Sequence, residues 1–146
     1  FCFMPIASNR PSPRRAALAA LLATATLALA ACAGLQPKTP EDVVRERSEA
    51  RWDALIKRDF DKAWEYTQPA YRALVGQKDY YKRFGGAGQW KGVQIHEVTC
   101  EPERCTVRLR LTSTINVPRF RGQELTGYID ETWVRADGQW WFYQAL

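Results

Sequence analysis

The stretch Cys105-Thr106-Val107-Arg108-Leu109-Arg110-Leu111-Thr112-Ser113-Thr114-Ile115-Asn116-Val117 alternates along its length. Cys105, Val107, Leu109, Leu111, Ser113, Ile115 and Val117 fall on one face; Thr106, Arg108, Arg110, Thr112, Thr114 and Asn116 fall on the other. A period of two marks a strand with one buried and one wet face. The preceding segment, Trp90 to Cys100, carries Val93 and Ile95 on one parity but Val98 and Cys100 on the other. A bulge near His96-Glu97 brings all four to the core face. Cys100 then lies opposite Cys105, Val98 opposite Val107, Ile95 near Leu109 and Val93 near Leu111. Further on, Pro118 to Gln123 reads as a basic connection and about Leu125 to Arg135 as a third strand. Asp137-Gly138 supplies a hairpin turn, and Trp140 to Leu146 completes the set.

Upstream the period is helical. Thr39-Pro40-Glu41-Asp42 opens a helix, with Thr39 as cap, Pro40 in the first turn and acids at the positive end of the dipole. Val44, Ser48, Trp52, Leu55 and Ile56 form its apolar stripe to about Arg58, leaving Glu46, Arg47, Glu49, Arg51 and Lys57 on the solvated side. A short helix follows at 61–66, capped by Asp59 or Asp61. Another covers Pro69 to Leu74 and stops at Gly76, and a helical piece at 79–84 ends at Gly85-Gly86. Phe60, Trp64, Tyr71, Leu74, Tyr80 and Phe84 are core or pocket-wall candidates. Helices followed by a meander specify α+β, with helices packed on one face of a curved four-stranded antiparallel sheet.

This pattern resembles the nuclear transport factor 2-like superfamily. The carrying residues are Trp52-Asp53-Ala54-Leu55, Asp59-Phe60-Asp61-Lys62-Ala63-Trp64 and Tyr71 in the helices, and Glu131-Thr132-Trp133-Val134-Arg135-Ala136-Asp137-Gly138-Gln139-Trp140-Trp141 in the last hairpin. The resemblance spans about Pro40 to Leu146. It implies a cone-shaped fold with a cavity between sheet and helices, and frequent homodimers; the superfamily hosts enzymes and binding modules alike, so fold alone assigns no activity.

The N-terminal segment supplies an address. Arg10, Arg14 and Arg15 precede an uncharged run of Ala, Leu and Thr ending in Leu29-Ala30-Ala31-Cys32. A basic head, an apolar middle and small residues before the cut make a secretory signal, and its end resembles the lipobox of bacterial lipoproteins. By that resemblance residues 1–31 are a cleaved signal peptide, Cys32 is lipidated with palmitate-type chains, and 32–38 tether a domain at 39–146. Translation is expected to start at Met4. The implied location is the periplasmic face of a membrane; Ala33 after the lipidated cysteine favours the outer membrane. The formal charge of +5 includes three arginines of the signal, so the rest is weakly basic and no nucleic-acid partner is expected.

In an oxidising compartment Cys100 and Cys105 are expected to form a disulfide. The competing zinc reading lacks ligands beyond His96, so neither metal nor cofactor is expected. No triad or phosphate loop is recognisable, and no catalytic residue is assigned. Asp130 or Glu131, with Tyr66, Tyr71, Tyr80 or Tyr128, could form a carboxylate–phenol site of isomerase or dehydratase type. Arg108, Arg110, Arg119 and Arg121 could form a basic face for an envelope assembly. The leading expectation is a non-catalytic domain binding a small hydrophobic ligand or an envelope protein. Trp52, Trp64, Tyr71 and Trp133 would be the pocket walls and Glu131 the polar group, so that Glu131→Gln would alter binding more than fold.

Overall fold

A computed structural model describes residues 36–85 and 89–146. The expected signal segment, Cys32 and most of the tether lie outside the described residues. From Lys38 onward the chain forms one compact unit.

Helix α1 spans Pro40–Ile56. Thr39 Oγ1 accepts from the Asp42 amide and Asp42 accepts from the Thr39 amide, a capping box that satisfies two otherwise orphaned N–H groups. The helix ends in a Schellman turn, with the Arg58 amide donating to Leu55 and the Asp59 amide to Ala54. Arg58 takes the left-handed conformation this turn demands, with φ of 64°. Three short helices follow: α2 (Phe60–Glu65, capped by Asp59), α3 (Pro69–Leu74) and α4 (Gln77–Tyr80), the last continuing as a 3-10 turn at Tyr81–Phe84. Gly76 is the N-cap of α4 and does not stop α3, whose last residue is Leu74 with Val75 as C-cap.

Strands β1 (Trp90–Cys100), β2 (Arg104–Thr114), β3 (Glu124–Ala136) and β4 (Gln139–Phe142) form an antiparallel meander in sequence order. The β1–β2 register is the one the parity slip requires: Ile95 faces Leu109, Val98 faces Val107 and Cys100 faces Cys105, with the irregularity between Ile95 and Glu97. A disulfide joins Cys100 to Cys105. At the other hairpin Asp137 and Gly138 both have positive φ, 53° and 72°, as a primed turn needs. β4 is shorter than expected and ends at Phe142, although the Tyr143 amide still donates to the Thr132 carbonyl of β3 at 2.8 Å. On the other edge of β4, Tyr66 and Gln68 exchange backbone hydrogen bonds with Phe142.

Helix α1 lies across β1, β2 and β4. Val44, Trp52, Ala54 and Leu55 meet Cys105, Val107, Leu109 and Trp133 of the sheet, and Ala63, Tyr71 and Tyr80 close the core from the short helices. Two expectations fail here. Leu74 is 72% exposed because α3 ends beneath it, and Arg51, read as solvated, is buried. Coverage of the sheet is uneven as well. β3 is exposed from Glu124 to Asp130 and becomes buried only at Glu131 and Trp133. The half facing no helix leaves Leu125 and Ile129 open to water.

Candidate functional site

The α1 face toward the sheet carries Ser48, Arg51 and Trp52, spaced three and four residues apart and therefore neighbours on one side of the helix. All three converge on Glu131 of β3. Arg51 Nη1 donates to Oε1 at 2.7 Å and Trp52 Nε1 to the same oxygen at 2.8 Å. Ser48 Oγ donates to Oε2 at 3.0 Å, and Trp133 Nε1, two residues along the strand, adds a bond at 3.3 Å. Side chains of the Arg51–Glu131 pair are only 4% and 5% exposed, so each charge needs the other. The guanidinium also sits 3.6 Å from the centre of the Phe142 ring, and its Nη2 reaches the Tyr80 hydroxyl at 3.4 Å. With four donors on its two oxygens, the carboxylate has little left to offer an incoming molecule.

Over this cluster opens a cleft of about 370 Å³, walled by Trp52, Leu55, Phe84, Trp90, Ile129 and Phe142, with Arg51 and Glu131 at its base. Trp90 is fixed edge-to-face by Trp52 and Phe84, with ring centres 5.2 and 5.8 Å away. Glu131 and Trp133 face the helices, and Asp130 faces away, its side chain 57% exposed and 3.9 Å from Arg108. Trp52 and Glu131 line the cleft, whereas Trp133 lies fully buried beneath the helices. Tyr71 is buried in the core, and burial pushes its phenol above the usual 10.0 while Arg83 opposes the shift. Its hydroxyl finds no partner. Trp64 belongs to a separate groove with Trp141 and Arg72. His96 is exposed at the bulge, its ring 5.5 Å from that of Tyr128.

A larger groove, about 800 Å³, runs beside β1 between Asp53 and Tyr128, but exposed side chains such as His96 and Gln94 line it. Among the described residues no cluster of His, Cys, Asp and Glu has the makings of a metal site, and no helix is long and apolar enough to cross a membrane. Sequence reasoning missed Arg51 and gave Ser48 no role beyond the apolar stripe. The available signal was Glu131 itself: an acid turned inward requires a buried cation, and Arg51 adjoins Trp52 on the stripe's flank.

No family model matches the chain, and no curated protein matches it in sequence. Solved structures do match it in shape. A SEC-C motif-containing protein from Rhodopseudomonas palustris superposes with a TM-score of 0.50 at 20% identity, covering 73% of this chain and 76% of that one. AclR, a hydroxylase candidate from Streptomyces galilaeus, gives 0.50 at 16% identity over 67% and 74%. An NTF2-like protein from Burkholderia thailandensis gives 0.43 at 14% identity over 75% and 91%. The likeness is one of fold. Helices on one face of a four-stranded antiparallel sheet are the α+β architecture expected from the sequence.

Proposed function

We propose that this chain is an envelope lipoprotein whose domain, of nuclear transport factor 2-like type, binds a small planar or hydrophobic ligand without transforming it. The observation that carries this reading is the ring of four donors around Glu131 beneath an aromatic cleft. A carboxylate acting as base needs a free lone pair aimed at its substrate, and here the lone pairs hold helix α1 to the sheet. What remains toward the cleft is mainly the rings of Trp52, Phe84, Trp90 and Phe142, with Asp130 and Thr132 also in its lining. Its volume lies near the lower end of small-molecule sites, which run from about 300 to 1,000 Å³.

The test is titration of the full-length protein with an anilinonaphthalene fluorophore, following tryptophan emission. Saturable binding is expected, weakened at least about tenfold by Trp90→Ala and unaffected by Trp64→Ala, since one buried aromatic contact is worth about 1.5–3 kcal/mol. Equal binding by the Trp90→Ala protein would remove the cleft from consideration. The rival enzyme reading makes Glu131 or Asp130 the reacting group; the membrane anchor rests separately on Leu29-Ala30-Ala31-Cys32.

A further inference from the structure

One turn of α1 before Arg51, in a groove separate from the cleft, arginines and aromatic rings alternate. The Arg47 guanidinium lies 5.1 Å from the ring centre of Tyr66 and 5.1 Å from that of Trp141. The Arg72 guanidinium lies 4.7 Å from the same Trp141 ring and 5.5 Å from Trp64. The sequence order is scattered, but the spatial order is Tyr66, Arg47, Trp141, Arg72, Trp64. Each indole is tied off by its own N–H: Trp64 donates to the Val75 carbonyl at 2.8 Å and Trp141 to that of Ala136 at 3.1 Å. The rings are therefore fixed, and they hold both guanidiniums in place by cation–π attraction.

Two positive charges share one indole, yet neither has an anionic partner among the described residues. Arg72 Nη1 donates to a backbone carbonyl, that of Glu65, at 3.3 Å. Arg47 Nε is buried and bonds to nothing. Burial lowers the affinity of Arg47 for its proton, Tyr66 opposes this and Arg72 adds to it, as expected of neighbouring cations in partial shelter. Both arginines line a groove of about 470 Å³, in which Glu65 is the sole acidic neighbour. Its carboxylate pairs with neither. Stacked guanidiniums still present N–H groups at their edges, in the fork that suits phosphate oxygens.

We propose that this groove is a binding site for a phosphate monoester dianion, with Arg47 and Arg72 supplying the charge and Trp64 and Trp141 a platform for any ring attached to it. Two sources carry that chemistry, a soluble phosphate monoester and a monoester lipid headgroup.

The experiment follows the arginine side-chain Nε–H resonances of the full-length protein by NMR. One arm adds phenyl phosphate, the other vesicles of phosphatidylcholine with phosphatidic acid. Saturable shifts at Arg47 and Arg72 are expected with phenyl phosphate, and with vesicles alone if the headgroup is the source. Arg72→Gln should weaken binding about tenfold or more, the scale of one charged hydrogen bond. Glu65→Gln should tighten it, and Arg119→Gln, outside the groove, should leave it unchanged. Circular dichroism of the Arg72→Gln protein identifies loss through misfolding. In that event the Glu65→Gln result decides: tighter binding sustains the site and unchanged binding overturns it. Absence of shifts in both arms, or equal affinity for acetate, overturns the proposal.

Discussion

Glu131 and Arg51 are charges that the interior tolerates only together. Taking either partner from a buried pair leaves an uncompensated ion and typically costs 3–5 kcal/mol. Glu131→Gln is therefore expected to lower unfolding free energy by about that much in urea titrations, which moves its main effect from binding, as the sequence suggests, to fold. The double variant Arg51→Met/Glu131→Gln, which removes both charges but keeps an amide oxygen as acceptor for the Trp52 and Ser48 donors, should recover part of the loss; a double variant less stable than the single one would contradict this view of the pair. Tyr71 offers the opposite case. Its buried hydroxyl is unpartnered, so Tyr71→Phe should be neutral or stabilising by about 1 kcal/mol. Because its folded pKa is raised, the native state holds the phenolic proton longer than the unfolded chain, and stability should fall as pH rises through 10 and beyond. The Phe variant should lose that part of the alkaline decline in thermal melts. At this scale the sequence was only half readable. Glu131 shares parity with Trp133, but both faces of that strand are apolar enough that the sequence left its direction open, and the burial of Arg51 depends on a contact across 80 residues of chain.

Helix α1 and the β1–β2 hairpin are the two elements whose local sequence agrees best with their structure. Thr39 as the helix cap and the bulge at His96 were both legible, because each leaves a mark within a few residues; the return bond from Asp42 that completes the capping box was not read. The Schellman turn was not, since Arg58 stands where glycine is usual. A left-handed residue with a Cβ costs roughly 1–2 kcal/mol, so Arg58→Gly should raise the unfolding free energy by up to about 1 kcal/mol after the added freedom of the unfolded chain is counted, read as a higher denaturation midpoint. The disulfide closes a loop of very few residues, for which the chain-entropy model gives about 2 kcal/mol. Exported protein should be two hydrogens lighter by intact mass than the reduced form, and Cys100→Ser/Cys105→Ser should fold but melt earlier. Free thiols alkylated without reductant would contradict it. The short helices were harder to read. Leu74 matched an apolar pattern, but a six-residue helix has too few turns for position to fix which face is covered.

For the molecule as a whole, the α+β order was legible because a helical period gives way to a period of two near Trp90. What fills the space between the layers was not, since periodicity says which side chains turn inward and not whether they leave room. The anchor is a separate matter. Cys32→Ala is expected to abolish palmitate incorporation and leave an unprocessed precursor, read by radiolabelling and gel mobility; normal labelling would remove the lipoprotein reading. The uneven cover of β3 has a kinetic consequence. Its Glu124–Asp130 half pairs with β2 alone, so alternate amides there face an open edge, while β4 covers only Trp133–Ala136; exchange with deuterium is easiest where amides are unpaired and local opening uncovers few side chains. Amides from Leu125 to Tyr128 should exchange early, and those of Glu131 and Trp133 should persist until the domain opens globally. One strand would then report two protection classes, with the boundary at Asp130.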